Sequence, residues 1–501
     1  TEQWVALTTA QAAALTSDQV RSMQTAQLRA LETRDVAALG TSSIRALSTD
    51  QIASGLGTAQ IAALGTAQIV ALTTDQISRA FSTDQVVALG VAQAAALTSD
   101  HMRVLSTDQL HALEARDFAA LSTAAVRALS TTQLRQALTT DQVVALSIAQ
   151  AAALTSDQLQ SLTTTQLRAM EARDVAALST DATPSLTTEQ IQYGLSTAQV
   201  AALSTAQIAA FGTQQVRALS TDQVVALTTL QAKALGTDAV RALSTDQLRA
   251  METRDVAALG TDQIQALGTD QVHNGLSTAQ VEGLGTDQVA ALTTDQIAKG
   301  LTTDQVVALS TAQVHALSTD QVQALGTAQV RALETRDVAV LTTEQVQALT
   351  TDQLHDGLSS DAIATWSTAQ WQALTTDQIP VLRTDQIRVL DAAHVASLGT
   401  DQVQAMTTAQ IDQGLSTDAI VALGTAQWAA LNSDQIGALA TDQLRAMETR
   451  DIAILSTAQI QGLTTDQLAY GLTTIAIVVW NTDQISALGT DQIRSGLGTD
   501  Q

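Results

Sequence analysis

Leu219-Ser220-Thr221-Asp222-Gln223-Val224-Val225-Ala226, followed at Leu227 by a new opening Leu, is the stretch that decides the fold. Its eight positions recur along the whole chain: Leu or Met at one, Ser, Thr or Gly at two, Thr at three, Asp or Ala at four, Gln at five, an aliphatic residue at six, anything at seven and usually Ala at eight. Repeats follow one another without a break from Leu7 to Leu497, 50 of them eight residues long and ten of them nine. Self-similarity at so short a period marks a solenoid rather than a conventional core.

A strand would put positions one, three, five and seven on one face, but the apolar positions are one, six and eight, so the alternation fails. As a helix, position six and the next opening Leu are three apart and share a face, and Ala and Gln favour helix. Ser/Thr-Thr-Asp-Gln then reads as an N-terminus, with a hydroxyl cap at two, capping-box spacing to Gln at five and a first-turn Asp against the helix dipole. Gly at position two (Gly65, Gly260, Gly399) is expected to supply a left-handed residue ending the preceding helix. Each repeat is therefore predicted to be one helix of under two turns plus a short corner, stabilised only by neighbours stacked on it. Positions one, six and eight are expected to fill a narrow axis.

The ten nine-residue repeats begin at Leu47, Leu72, Leu129, Leu186, Leu267, Leu292, Leu349, Met406, Leu463 and Leu488, and most end in Gly. Their separations are 3, 7 or 10 repeats. If insertions fall on one side of a coil, these are one, two and three turns, or about 3.4 repeats per turn. A second marker, Glu-Thr/Ala-Arg-Asp at Glu32, Glu114, Glu171, Glu252, Glu334 and Glu448, gives the same figure and stands two repeats before an insertion each time. The expectation is an all-α superhelical solenoid, one helix per 8-9-residue repeat. A fractional count disfavours the alternative, a β-solenoid with whole-number sides.

Composition agrees. The 501 residues include 49 acidic and 24 basic side chains, for a net charge of −25, with 45% hydrophobic but only 2% aromatic residues and no cysteine. Ample aliphatic surface argues for a folded chain, and the acidic excess argues against nucleic acid or an anionic membrane as partner. No apolar run approaches the roughly 20 residues of a membrane span, and no signal segment heads the chain. One continuous repeat domain, 1–501, is expected. Entry at position three with Thr1 and exit at position five with Gln501, both without a polar capping repeat, predict an internal window of a longer chain.

Little in the repeat points to chemistry. All five Trp fall at inward positions (Trp366 and Trp480 at one; Trp4, Trp371 and Trp428 at six), as do Phe81, Phe118 and Phe211. Only Tyr193 and Tyr470 are placed for display. His101, His111, His273, His315, His355 and His394 never pair at metal-ligand spacing, and His101 and His394 simply take the Gln position. Asp at position four (Asp50, Asp222, Asp262, Asp304) offsets its own helix terminus rather than gathering calcium, which needs several converging oxygens. In the marker, Arg249, Glu252, Arg254 and Asp255, like Arg445, Glu448, Arg450 and Asp451, bring opposite charges together, either internally or as a lateral contact between rods. The Thr rows, committed to capping, are not read as ice-binding. No residue is assigned a catalytic, cofactor-binding or metal-ligating role, and no cofactor or enzymatic activity is expected.

Leu219 to Leu227 resembles the opening helix of transcription activator-like effector repeats, but those are longer, basic and carry a base-reading loop absent here. The whole chain is similar in composition to the Thr/Ala/Gln-rich, low-lysine octapeptide tracts of very long secreted or surface proteins of Gram-negative bacteria. That resemblance implies an extracellular or cell-surface structural protein, a rigid filament or stalk associating with its own copies. The alternative is an adhesin or partner-binding repeat scaffold on the cell surface.

Overall fold

A computed structural model describes residues 2–498 of the chain. Thr1 and Gln501, on which the reading of the chain ends rests, lie outside them. The chain forms two compact bodies, Thr1–Leu259 and Gly260–Gln501. Among the described residues every regular element is helical, and the helices run from three to seven residues. This is the all-α solenoid of one short helix per repeat.

In the first body, Thr221–Val225 shows how one repeat is built. Leu219 and Ser220 are extended, and Ser220 caps the helix, its hydroxyl accepting the Gln223 N–H at 3.2 Å. The Gln223 Oε1 accepts the Ser220 N–H at 2.8 Å, completing a capping box. The other end of the same amide leaves the repeat: Gln223 Nε2 donates to the carbonyls of Ile191 and Leu195, both at 2.7 Å. Those two carbonyls stand at position six of the fourth repeat back and at position one of the third. One revolution therefore falls between three and four repeats. The second body repeats the arrangement, with Gln305 Nε2 at 2.8 Å from the Val272 carbonyl and 2.7 Å from that of Leu276.

A helix of five residues has too few internal bonds to persist alone. Here the buried Gln amide joins its own N-terminus to two carbonyls of the turn before. Each such bond contributes on the order of 0.5–1.5 kcal/mol net, and an unpaired buried carbonyl costs about 1–3 kcal/mol. The core consequently differs from the one expected. Positions one, five and six are buried (Leu219, Gln223, Val224), whereas the position-eight Ala226 is half-exposed. Apolar character placed Ala inside; the two-ended amide belongs there instead.

The position-two glycines also differ from expectation. No described glycine has a positive φ. Gly65, with φ −74° and ψ 159°, is an extended N-cap, and its N–H donates to Gln68 Oε1 at 2.7 Å. Gly260 and Gly399 are extended in the same way. The corner turns through extended backbone and needs no left-handed residue.

Each insertion is absorbed inside its helix. The repeats opening at Leu47 and Leu129 carry seven-residue α-helices, Thr49–Gly55 and Thr131–Ala137. The other eight widen into a π turn, Gln76–Ala80 and Gln190–Gly194 in the first body and Gln271–Gly275, Gln296–Gly300, Gln353–Gly357, Gln410–Gly414, Gln467–Gly471 and Gln492–Gly496 in the second. The extra turn presses onto the turn before it: a Cβ on Gly414 would stand 2.8 Å from Ile387 Cγ2, and one on Gly194 3.0 Å from Leu167 Cδ2. Small residues end these repeats because the backbone itself is in contact. The two prolines, at position seven, loosen their repeats to a 3-10 turn (Thr183–Ser185) and an irregular turn around Pro380. Gln378 nevertheless still donates to the Leu349 carbonyl at 2.7 Å.

Two stability outcomes follow. Gln223→Leu removes the bridge while keeping bulk, and should lower denaturant stability by about 1–3 kcal/mol. Gln223→His should cost less, because His101 in the same position reaches the Leu72 carbonyl with Nε2 at 2.9 Å. Gly414→Ala should cost about 1–3 kcal/mol from overpacking, whereas Gly399→Ala, whose Cβ would meet only Gln402 Oε1 at 3.6 Å, should stay within about 0.5 kcal/mol. Urea melts of the four variants against the parent chain test both orders.

Candidate functional site

The charged segment is the one local departure from the repeat that recurs with fixed chemistry. In it Glu takes position two, Arg four and Asp five, so the carboxylate occupies the position where Gln normally bridges turns. In the first body Arg254 Nε lies 2.7 Å from Glu252 Oε2 and 3.6 Å from Asp255 Oδ1. Arg34, Arg116 and Arg173 repeat this, at 2.9, 2.9 and 2.6 Å from Glu32, Glu114 and Glu171. In the second body Arg336 and Arg450 lie 2.7 and 2.8 Å from Glu334 and Glu448. The opposite charges expected to meet do so within the repeat. The Arg and Glu remain solvent-accessible, so each pair contributes little.

The aspartates are different: Asp35, Asp117, Asp174 and Asp337 are fully buried and Asp451 nearly so. Burial pushes the carboxyls of Asp117, Asp174, Asp337 and Asp451 above the usual range, against the lowering effect of the adjoining Arg and with a further raising effect from the Glu. Asp255 alone accepts a side-chain hydroxyl, from Thr229 Oγ1 at 2.6 Å. Sequence reasoning treated these aspartates as ion-pair partners; their place in the Gln position was the signal that could have shown them buried.

A second Arg, at position seven of the repeat before the segment, ties it to the insertion. In the first body Arg29 Nη2 donates to the Ser54 carbonyl at 2.7 Å and Arg168 Nη1 to that of Tyr193 at 3.0 Å, 25 residues ahead and just before the final Gly. His111 Nδ1 stands 3.1 Å from the Ala137 carbonyl in the corresponding place. In the second body Arg331 donates to the Asp356 carbonyl and Arg445 to that of Tyr470. A side chain three repeats before the insertion thus caps the backbone of the lengthened helix, and Arg388 does the same for the Gln413 carbonyl, at 2.8 Å, with no charged segment after it. Shallow open grooves of Thr and Ala flank these contacts, one lined by Thr25, Ala26, Arg29 and Ser54.

The remaining sequence candidates are dispersed. Trp366, Trp371, Trp428 and Trp480 and all three Phe are buried, Trp366 and Trp371 meeting edge to face at 5.5 Å, while Trp4 is half-buried. Tyr193 and Tyr470 are exposed. His394, like His101, occupies the Gln position, with Nε2 3.0 Å from the Trp366 carbonyl. His315 and His355 place Nδ1 beside carbonyls of Val340 and Val381. Among the described residues no three His, Asp or Glu side chains converge as a metal group requires, and no helix is long and apolar enough to cross a membrane.

The sequence pattern of the chain matches the ALTTAQ repeat over residues 20–78, 110–148, 167–355 and 379–470 in overlapping copies; Ala63-Leu64-Gly65-Thr66-Ala67-Gln68 differs from those six letters only at Gly65. No curated protein matches the chain. Among solved structures, the leucine-rich repeat-containing protein LegL7 from Legionella pneumophila aligns at 14% identity, covering 49% of this chain and 79% of its own, with a TM-score of 0.13. The structure of APUM23-GGAGUUGACGG aligns at 10% identity, covering 96% and 90%, with a TM-score of 0.18. With copies of the motif tiled over well more than half of its length, the chain belongs to the ALTTAQ repeat family.

Proposed function

We propose that this repeat protein is a structural scaffold without catalytic activity, serving outside the cell or at its surface as a filament or stalk that associates with its own copies. One observation carries the reading: its recurrent polar chemistry is directed at its own backbone. The Gln amides bridge successive turns, the position-two hydroxyls cap helices, and the position-seven Arg residues hold the widened turns. Away from those Arg, what faces solvent at position seven varies among Arg, Gln, Ala, Val and His. Function then resides in length and stiffness rather than in a pocket. A net charge of −25 keeps single chains apart at low ionic strength and disfavours nucleic acid and anionic membranes as partners.

A second reading, a surface adhesin, draws on the exposed Val87, Val144, Val225 and Val307 at position seven and on Tyr193 and Tyr470 beside their Arg-held turns. They are among the exposed apolar side chains a partner could cover, with Leu230, Ile475 and Val478.

Immunogold electron microscopy of the producing cells, with sedimentation of the purified chain, distinguishes the readings. Labelled surface fibres, and a sedimenting mass that rises as salt shortens the Debye length from about 30 Å at 0.01 M to about 3 Å at 1 M, are expected. Label confined to the cell interior, or a monomer at every salt concentration, overturns the self-associating filament.

A further inference from the structure

We propose that Asp117 and Asp174 are carried as neutral acids in the folded chain, each donating its carboxyl O–H to the backbone carbonyl of the preceding turn as Gln does in ordinary repeats. The position they occupy defines what is asked of them. Polar side chains there deliver a donor to the opening carbonyl 28 or 29 residues back: Gln133 Nε2 to Leu105 at 2.8 Å, His101 Nε2 beside Leu72 at 2.9 Å, and even Ser43 Oγ to Leu15 at 2.8 Å. For Asp117 the matching carbonyls are Leu89 and Val86, and for Asp174 Leu146 and Val143. An ionised carboxylate has no hydrogen to give them and would set acceptor against acceptor in a buried site. One proton, taken from solvent, converts it into the required donor.

The surroundings supply no substitute. Both side chains are 0% exposed, and none of their four carboxyl oxygens has a hydrogen-bond partner. On their own helices Arg116 and Arg173 approach only to 3.5 and 3.8 Å, while each is held closer by Glu114 or Glu171, so each triad of two carboxylates and one guanidinium is one positive charge short. Of the helices packed against Asp117, Val91–Ala95 carries no charge and Thr140–Val144 only the exposed Asp141. Those packed against Asp174, Ile148–Ala152 and Thr197–Ala202, carry none. Asp84 and Asp141, beside Val86 and Val143, are exposed and of the same sign. Asp255 accepts the hydroxyl of Thr229, 26 residues before it, and the residues at that separation from Asp117 and Asp174, Val91 and Ile148, have no hydroxyl to give. Asp35 and Asp337 stay without a hydrogen-bond partner although Thr9 and Thr311 stand there, so a Thr at that place does not by itself supply the bond. Desolvation raises both carboxyl pKa values in keeping with this.

The consequence is stability that responds to pH. A raised folded-state pKa favours the native chain fully below the unfolded carboxyl pKa near 3.9, and the advantage is lost as pH rises through the folded value. Urea melts of the full chain and of the Asp117→Asn/Asp174→Asn double variant, between pH 4 and 8, isolate the effect. The variants should match near pH 4, and the double variant should gain in folding constant as pH rises, roughly tenfold per unit of raised pKa at each site. Difference infrared spectra should show a protonated-carboxyl band above pH 5 that disappears in the double variant. A stability difference independent of pH, or no such band, overturns the proposal. So does a chain whose pH dependence vanishes on adding calcium or potassium in an aspartate-dependent way, since the carboxylates would then hold a metal ion.

Discussion

One side chain, the Gln at position five, sets both the local and the long-range order of this fold. Its carbonyl end satisfies the N–H that begins its own helix, and its amide end satisfies carbonyls that end helices in the turn before. Both groups are of the kind that a very short helix leaves orphaned. The shorter the helices, the larger the share of backbone groups at termini, so an eight-residue repeat is possible only if something serves both ends at once. A Gln, with one acceptor and two donor hydrogens on a planar head, does so with a single residue.

The fold class was legible in the sequence because its signal is local. Capping-box spacing, the three-residue step from position six to the next Leu and the two-residue corner all lie within ten residues. What was misread is what depends on the turn below. Ala at position eight looked like core because it is apolar, and Gln looked like a cap alone because the carbonyls it reaches are about 30 residues away in sequence. The error at Gly65, Gly260 and Gly399 has a related origin: a left-handed residue is the usual way to end an isolated helix, but here the C-terminal carbonyls are taken by the next turn's Gln, and the chain leaves in extended conformation. The insertions could be counted from the sequence, and the count gave about 3.4 repeats per turn, yet nothing in Tyr193-Gly194 or Gln413-Gly414 distinguishes a π turn from a longer α-helix. The same length of insertion takes the other form at Thr49–Gly55.

The charged segment was legible as a marker and opaque as a structure. Glu, Arg and Asp invite reading as a surface ion network, and two of the three are. The Asp is buried because position, not polarity, decides burial in this lattice. The preceding Arg, read from sequence as another member of the network, turns out to serve the backbone of the following turn.

A purely aliphatic solenoid would be free to slip, since one Leu-Val face stacks on another in many registers at similar energy. Directional bonds remove that freedom. An amide displaced along the coil by one residue meets side chains instead of carbonyls and loses bonds on both ends, a cost of about 1–3 kcal/mol for each buried group left unpaired. With a Gln in most repeats that cost accumulates along the array and far exceeds what any single aliphatic contact could recover. The insertions sharpen the register further, because a nine-residue repeat brings nearly bare backbone against the residue beneath, and at several of them an Arg one turn earlier reaches its carbonyl. Polar burial, usually a destabilising feature, is therefore what makes so repetitive a sequence fold in one alignment rather than many.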